Sequence, residues 1–192
     1  MNLVDRVKNI LVTPRSEWLV IEGERGDPAY LFTNYVAILA AIPAICNFIG
    51  TTLVGISVPA VGTFRLGIGA GIVNMILTYV LSFVIVYLVA LITDALAPTF
   101  GGQKNFENSM KLVTYSYTPG WLVGIFALIP ALGFLGILGL YGLYLFWTGV
   151  SPLMKTPANR SSAYTATVVV CTIVIAIVLG LIQAWLIGIP RT

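Results

Sequence analysis

Few residues of this chain have the types and spacing of a catalytic or metal-binding site. The sequence contains no histidine and two cysteines, Cys46 and Cys171, so a Ser-His-Asp triad and the common histidine/cysteine zinc sets are excluded. It has no Cys-x-x-Cys pair and no glycine-rich phosphate loop. A Ser-Lys hydrolase stays formally open, but no serine is distinguished by its surroundings. The sequence therefore predicts no enzyme, no cofactor and no metal site.

Two residues outside the N-terminal tail are acidic, Asp94 and Glu107. Glu107 suits the first turn of a helix, where the dipole favours a carboxylate. Asp94 closes a long apolar stretch and is followed by Lys104 and Lys111, so we expect an ion pair between Asp94 and one of these lysines. The alternative is a proton or cation site, which requires Asp94 to line a cavity.

A proline interrupts the apolar segment that follows Lys111. In Tyr115-Ser-Tyr117-Thr-Pro119 the ring of Pro119 frees the carbonyl group of Tyr115, and lipid offers no donor to satisfy it. The resulting kink is either a hinge with a polar pocket or a simple packing kink. Pro43 has the same effect on Leu39, in an aliphatic setting that favours a packing kink.

Glycines supply two packing signals. Gly67 and Gly71 form a small-xxx-small pair that permits close helix approach. A second series recurs at every third residue, Gly133, Gly136, Gly139 and Gly142, and is followed by the polar tip of Tyr144. Close packing of this stripe against the preceding span is favoured over a substrate groove, so leucine at Gly136 and Gly139 is expected to disrupt that packing.

Composition places most of the chain in lipid. Hydrophobic residues make up 58% of the sequence and charged residues 9%, and the mean hydropathy is +0.98. Nine charged residues lie within the first 28 positions and the others flank apolar stretches, as in polytopic membrane proteins. Because the basic residues are scattered singly, no nucleic-acid partner is expected. The expected partner is the lipid bilayer.

We expect an all-α membrane bundle with five transmembrane helices and short amphipathic N-terminal helices. Each span is near the ~20 residues that cross the hydrocarbon; the five cover about 30–49, 67–93, 111–131, 133–153 and 162–189. Asp27 and Pro28 have the types of an N-cap and first helical residue. Residues 1–28 form a cytoplasmic amphipathic segment and residues 29–192 form the membrane domain.

The charge distribution predicts the orientation. With five spans, eight of the ten basic residues fall on the side of the N-terminus, and Arg65 and Arg191 on the other. The positive-inside rule then places the N-terminus in the cytoplasm and the C-terminus outside.

The N-terminal segment has an apolar repeat at helical spacing. Leu3, Val4, Val7, Ile10 and Leu11 alternate with the polar group Asp5, Arg6, Lys8 and Asn9, and Thr13-Pro14 is typical of the start of a second short helix. The pair is interpreted as a membrane-surface element, as a lid on the bundle, or as both.

Several segments together resemble the Yip1 family, in its short bacterial inner-membrane branch. They are Ala40 to Cys46 with Phe48 to Thr52, Phe100-Gly101-Gly102, Tyr115-x-x-x-Pro119, and Leu143-Tyr144-Leu145 continuing to Gly149 and Pro152. The resemblance implies five transmembrane helices, a cytoplasmic N-terminus, and a bacterial inner (cytoplasmic) membrane with a periplasmic C-terminus.

Eukaryotic members of that family look like organisers of vesicle budding that contact Rab GTPases. Of their two signatures, Asp-Leu-Tyr-Gly-Pro is absent here, and Gly-Tyr-x-x-x-Pro has Thr114 in place of glycine. A Rab-type GTPase is therefore not an expected partner.

The sequence supports two hypotheses of function. The first is a non-enzymatic membrane scaffold that associates with itself, as a homo-oligomer, or with other membrane proteins. The second is a small transporter or channel with a site at the kinked third helix, where Asp94, Lys111, Tyr115, Tyr117, Pro119 and Tyr144 are the candidate residues.

Overall fold

A computed structural model describes residues 2–24, 26–58 and 62–187 of the chain. Nine α-helices form most of this part of the molecule, and several continue into π- or 3-10 turns. The α-helices are α1 (Leu3–Val12), α2 (Pro14–Gly23), α3 (Pro28–Leu31), α4 (Ala37–Phe48), α5 (Ile68–Leu96), α6 (Phe106–Ser116), α7 (Thr118–Val123), α8 (Tyr141–Met154) and α9 (Ala158–Ile187). The all-helical prediction omits one small feature, an antiparallel pair of strands, β1 (Ile56–Val58) and β2 (Gly62–Phe64).

Four helices of the described residues are long and apolar enough to cross a membrane. They cover Pro28–Val54, Ile68–Phe100, Pro130–Met154 and Ala158–Leu186. The predicted span at 111–131 is not among them, because the helix is broken there. α6 ends at Ser116, Tyr117 forms a turn, and α7 passes into a 3-10 helix over Gly124–Leu128. Pro119 lies in the first turn of α7, where a missing N–H costs nothing.

Side-chain caps set several helix starts. Asp27 accepts from the backbone N–H of Ala29 at 2.9 Å and Pro28 is the first helical residue, which confirms the predicted start of the first span. Asn105 caps α6 in the same way through the N–H of Asn108 at 3.0 Å. Thr13 occupies the cap position of α2 without a side-chain cap bond, and α2 extends to Gly23.

The two longest helices, α5 and α9, run antiparallel and are joined near both ends. The Tyr164 hydroxyl donates to the carbonyl of Thr93 at one end. At the other end, Gln183 Nε2 donates to Asn74 Oδ1 at 2.8 Å and to Thr78 Oγ1 at 2.9 Å. At 1.5 Å per residue the two contacts are about 29 Å apart along α9, close to the ~30 Å thickness of the hydrocarbon.

α1 and α2 form an N-terminal hairpin that packs on α8. Trp18 is fully buried, and its Nε1–H donates to Thr148 Oγ1 at 3.1 Å. The hydroxyl of Tyr141 donates to the carbonyl of Leu11 at 2.9 Å. The hairpin thus packs along α8 from Tyr141 to Lys155. Its roles as a lid on the bundle and as a contact with lipid headgroups both stay predictions.

The amphipathic pattern assigned to α1 is wrong at two positions. Arg6 is buried and Val4 is exposed. The buried face of α1 is defined by Arg6 and Ile10, because the partner helix α2 places an acidic side chain opposite Arg6.

Close helix contacts occur at some of the predicted glycines. A Cβ on Gly71 would lie 2.3 Å from Thr52 Oγ1 and 3.0 Å from the Phe48 ring, whereas Gly67 has no neighbour within 4 Å. A Cβ on Gly142 would lie 2.5 Å from the carbonyl oxygen of Ser116. The first and second spans, and α6 and α8, therefore approach closely at these two points.

Replacing Trp18 with alanine is expected to destabilise the protein by about 3–5 kcal/mol, because it leaves a large cavity under the hairpin. The matched control is Leu19→Ala, since Leu19 is 64% exposed and surface changes stay within about 0.5 kcal/mol. Unfolding in detergent micelles measures both, and equal losses would contradict the packing of the hairpin on α8.

Gly142→Ala is expected to destabilise by about 1–3 kcal/mol, since its methyl group would overlap a backbone carbonyl that cannot move away easily. Gly136→Ala should be tolerated, because no atom lies within 4 Å of the place that its methyl group would occupy. Thermal unfolding of the two variants, side by side, checks the difference. A stable Gly142→Ala protein would show that α6 and α8 are farther apart than described.

Candidate functional site

An apolar groove of about 590 Å³ lies beside the break between α6 and α7. Its walls come from α7, from the 3-10 helix Pro130–Leu140, from α8 and from α9. Glycines and aliphatic residues dominate the lining, among them Gly120, Val123, Gly124, Gly133, Gly136, Leu140, Leu143, Val169 and Ile173. No acidic or basic side chain is among the described lining residues. The groove is therefore suited to apolar contact rather than to acid–base chemistry.

The glycine stripe is straight because its helix is of the 3-10 type. Pro130–Leu140 is a 3-10 helix, which has three residues per turn, so side chains three apart lie directly above one another. Gly133 and Gly136 have no neighbour within 4 Å and form the open wall of the groove. A Cβ on Gly139 would already lie 3.4 Å from the Cα of Gly120. Gly139 and Gly142 are therefore closely packed, whereas Gly133 and Gly136 face the open groove.

Polar side chains line the groove near the turn between α6 and α7. Ser116 lines the groove and its Oγ is buried without a hydrogen-bond partner among the described residues. Tyr117 also lines it, with its ring 5.8 Å from that of Trp121. Thr172 donates to the carbonyl of Val168 at 2.8 Å, so its hydroxyl can offer a ligand only an acceptor.

The predicted ion pair of Asp94 is wrong. Lys111 Nζ donates instead to the carbonyls of Ile21 at 3.1 Å and Glu24 at 2.5 Å. Free carbonyls at the C-terminal end of a helix attract cations, and the end of α2 lies against α6. Asp94 Oδ1 is buried and has no hydrogen-bond partner in the described part of the chain. Asp94 also lies outside both described cavities.

Sequence reasoning missed a buried ion cluster beneath the hairpin. The Arg6 side chain donates to Glu17, at 2.5 Å, and to Glu24, and its guanidinium carbon lies 5.3 Å from the centre of the Tyr115 ring. Arg6 and Glu17 are each 5% exposed. Burial alone would lower the pKa of Arg6, but the hydrogen bond to Glu24 and the neighbouring acidic groups raise it above its usual value.

The signal that could have revealed this cluster is charge pairing across the predicted turn. Thr13-Pro14 predicts a helix boundary, and a hairpin there brings Arg6 opposite Glu17. Assigning every charge to the solvent face excludes that pairing, and the assignment is wrong at Arg6.

The remaining candidate residues fall into separate places. Tyr115 is buried with the ion cluster, and its ring centre lies 4.8 Å from that of Tyr35. The Tyr35 hydroxyl in turn lies 2.8 Å from Thr118 Oγ1, next to Pro119. Tyr144 stacks between Tyr141, at 5.4 Å, and Trp147, at 6.1 Å, away from the groove. The structure thus brings Lys111 and Tyr115 together, and leaves Asp94 and Tyr144 apart from them.

Comparison with known proteins identifies the family. The chain is 29% identical over 117 residues to the protein called Inner membrane protein YohC of Escherichia coli K12, and equally to that of strain O6:H1 CFT073. The match covers 61% of this chain and 60% of each relative, so the chain spans less than two thirds of those relatives' length. No solved structure matches it. The family model of the Yip1 domain matches residues 8–181, and the chain therefore belongs to the Yip1 family.

Proposed function

We propose that this protein is a non-enzymatic membrane organiser that acts by lateral association, with a second copy or with another membrane protein. The observation that carries the proposal is the glycine-walled groove of about 590 Å³ beside the broken helix. Without a water-driven hydrophobic effect between helices, close backbone approach at small residues is what favours association in lipid. A ridge of partner side chains fits against Gly133 and Gly136, which have no neighbour of their own.

The neighbouring helix supports a contact on this side of the bundle. α9 contributes Val169 and Ile173 to the groove, and its face continues away from the groove as exposed aliphatic residues, Val174, Ile177, Val178 and Leu181. A partner helix that follows the groove therefore meets a continuous apolar surface.

We place the protein in a bacterial inner membrane with five crossings. Four are the long helices, and the third is the broken segment from α6 to Leu128. That segment contacts the first span along its length. The Thr118 hydroxyl is hydrogen-bonded to that of Tyr35. Farther along, a Cβ on Gly124 would lie 2.5 Å from Pro43, and a Cβ on Gly50 would overlap the carbonyl oxygen of Ala127. Five crossings put the two termini on opposite sides, and the excess of basic residues on the side of the N-terminus favours the cytoplasm for it and the periplasm for the C-terminus. Residues 1–28 are then the cytoplasmic segment and 29–192 the membrane domain.

Both relatives are called inner membrane proteins, which supports this location. Nothing in their name specifies an activity, so the partner is identified here by its chemistry: an apolar transmembrane helix. A Rab-type GTPase is not part of the proposal.

Filling the groove should weaken association without unfolding the bundle. Gly136→Leu places a side chain in open space, so we expect wild-type thermal stability and at least a several-fold loss of crosslinking in the membrane. The matched control is Gly180→Leu on α9, which also has no neighbour within 4 Å and does not line the groove. Crosslinking from a cysteine at Ile173, in a variant whose two natural cysteines are replaced, gives the readout. Equal crosslinking of the Gly136→Leu and Gly180→Leu variants would contradict the proposal, because it would show that the groove is not the contact surface.

The transporter hypothesis makes a different prediction. A site at the kinked helix would use Asp94 as its acidic group, yet Asp94 lies outside the described cavities. Liposome flux of protons and alkali cations is expected to be the same for the wild type, for Asp94→Asn and for empty vesicles. A flux that disappears in Asp94→Asn would favour transport over association.

A further inference from the structure

A second cavity, of about 510 Å³, has Arg6 in its wall. It is bounded by the start of α1, the end of α2, the first candidate span and Tyr115 of α6. Its lining includes the charged side chains of Arg6 and Glu24, the amides of Asn2 and Asn34, and the apolar side chains of Leu31 and Ile38. This size is typical of pockets for small ligands, which measure ~300–1,000 Å³.

The cavity extends from the N-terminal hairpin to a candidate membrane span. Ile38 belongs to that span, Pro28–Val54, and is 50% exposed. Tyr30, near the start of that span, lines the cavity and is exposed, in the position where tyrosine marks the boundary between lipid and water. A membrane boundary at Tyr30 puts Arg6 and Glu24, which precede the span, at headgroup level and Ile38, which lies within it, at acyl-chain level.

The cavity wall presents one charge of each sign. Arg6 uses one N–H of each terminal nitrogen for Glu17 and Glu24, and a guanidinium has five N–H groups. The Glu24 side chain is 39% exposed, in contrast to that of Arg6. Since both residues line the cavity, a bound group with an anionic and a cationic part would meet a partner for each.

We propose that this cavity binds a phospholipid whose headgroup carries a phosphate and a primary ammonium. The phosphate accepts from Arg6, the ammonium donates to Glu24, and an acyl chain lies along Leu31 and Ile38. A headgroup with a phosphate alone brings a negative charge towards Glu24 without compensation. A trimethylammonium group has no N–H to donate, so it loses the charge-assisted hydrogen bond to Glu24. This site is separate from the association groove and does not depend on it.

The test measures binding of lipids to the delipidated full-length protein by native mass spectrometry. The probes are phosphatidylethanolamine, phosphatidylcholine and phosphatidylglycerol with identical short acyl chains, together with O-phosphoethanolamine as the headgroup alone. We expect the first lipid to bind about tenfold more tightly than the other two, as one charged hydrogen bond provides. Glu24→Gln should abolish this preference, whereas Glu22→Gln should keep it, because Glu22 pairs with Lys155 and does not line the cavity.

A second pair of variants avoids the ion cluster, so it remains informative if Glu24→Gln fails to fold. Ile38→Trp fills the cavity at acyl-chain level and should weaken lipid binding about tenfold or more. Ile45→Trp is the matched control, because Ile45 is 49% exposed on the same helix, two turns away, and does not line the cavity.

Three results would overturn the proposal. They are equal affinity for all three lipids, equal effects of the two tryptophan variants, and binding of the soluble headgroup as tight as that of the lipid and unchanged by Ile38→Trp. The last result would assign the cavity to a free phosphoamine instead of a lipid.

Discussion

Arg6 lies almost fully buried between two carboxylates, at the junction of the N-terminal hairpin with the rest of the bundle. A charge in such a place is tolerated only when it is paired and hydrogen-bonded, and removing one partner leaves the other at high cost. Around it, Lys111 holds the carboxyl end of α2, and Lys155 pairs with Glu22. These contacts join the hairpin to α6 and to the end of α8. The position of the hairpin, and the shape of the cavity beside it, both follow from this cluster.

The segment from α6 to Leu128 has two parts with different attachments. Its first part, α6, is fixed by the hairpin and by α8, where Asn108 donates to the carbonyl of Leu153 at 3.0 Å. Its second part follows the helix Pro28–Val54, where Gly124 approaches Pro43. The turn at Tyr117 lets each part keep its own partner. The space left between the second part and the helices Pro130–Met154 and Ala158–Leu186 is the groove.

Much of this arrangement can be predicted from the sequence. The membrane setting, four of the spans, the cap at Asp27 and the helix start at Asn105 follow from local patterns of apolar and capping residues. Local patterns fail where a distant partner decides the outcome. Arg6 is buried because Glu17 and Glu24 approach it in the folded hairpin, and Lys111 binds the carbonyls of α2 instead of Asp94. The spacing of Gly133, Gly136 and Gly139 at every third residue matches the three residues per turn of a 3-10 helix. Assuming an α-helix for every span overlooks this match.

The 3-10 helix over Pro130–Leu140 also has a consequence for the dimensions of the candidate span Pro130–Met154. It rises about 2.0 Å per residue where an α-helix rises about 1.5 Å. Its 11 residues therefore reach roughly 5–6 Å farther than the same residues would as an α-helix. The 25 residues of the span would already exceed the ~30 Å of hydrocarbon as a regular α-helix. Tighter winding therefore adds to the excess length, which tilting or protrusion beyond the hydrocarbon accommodates.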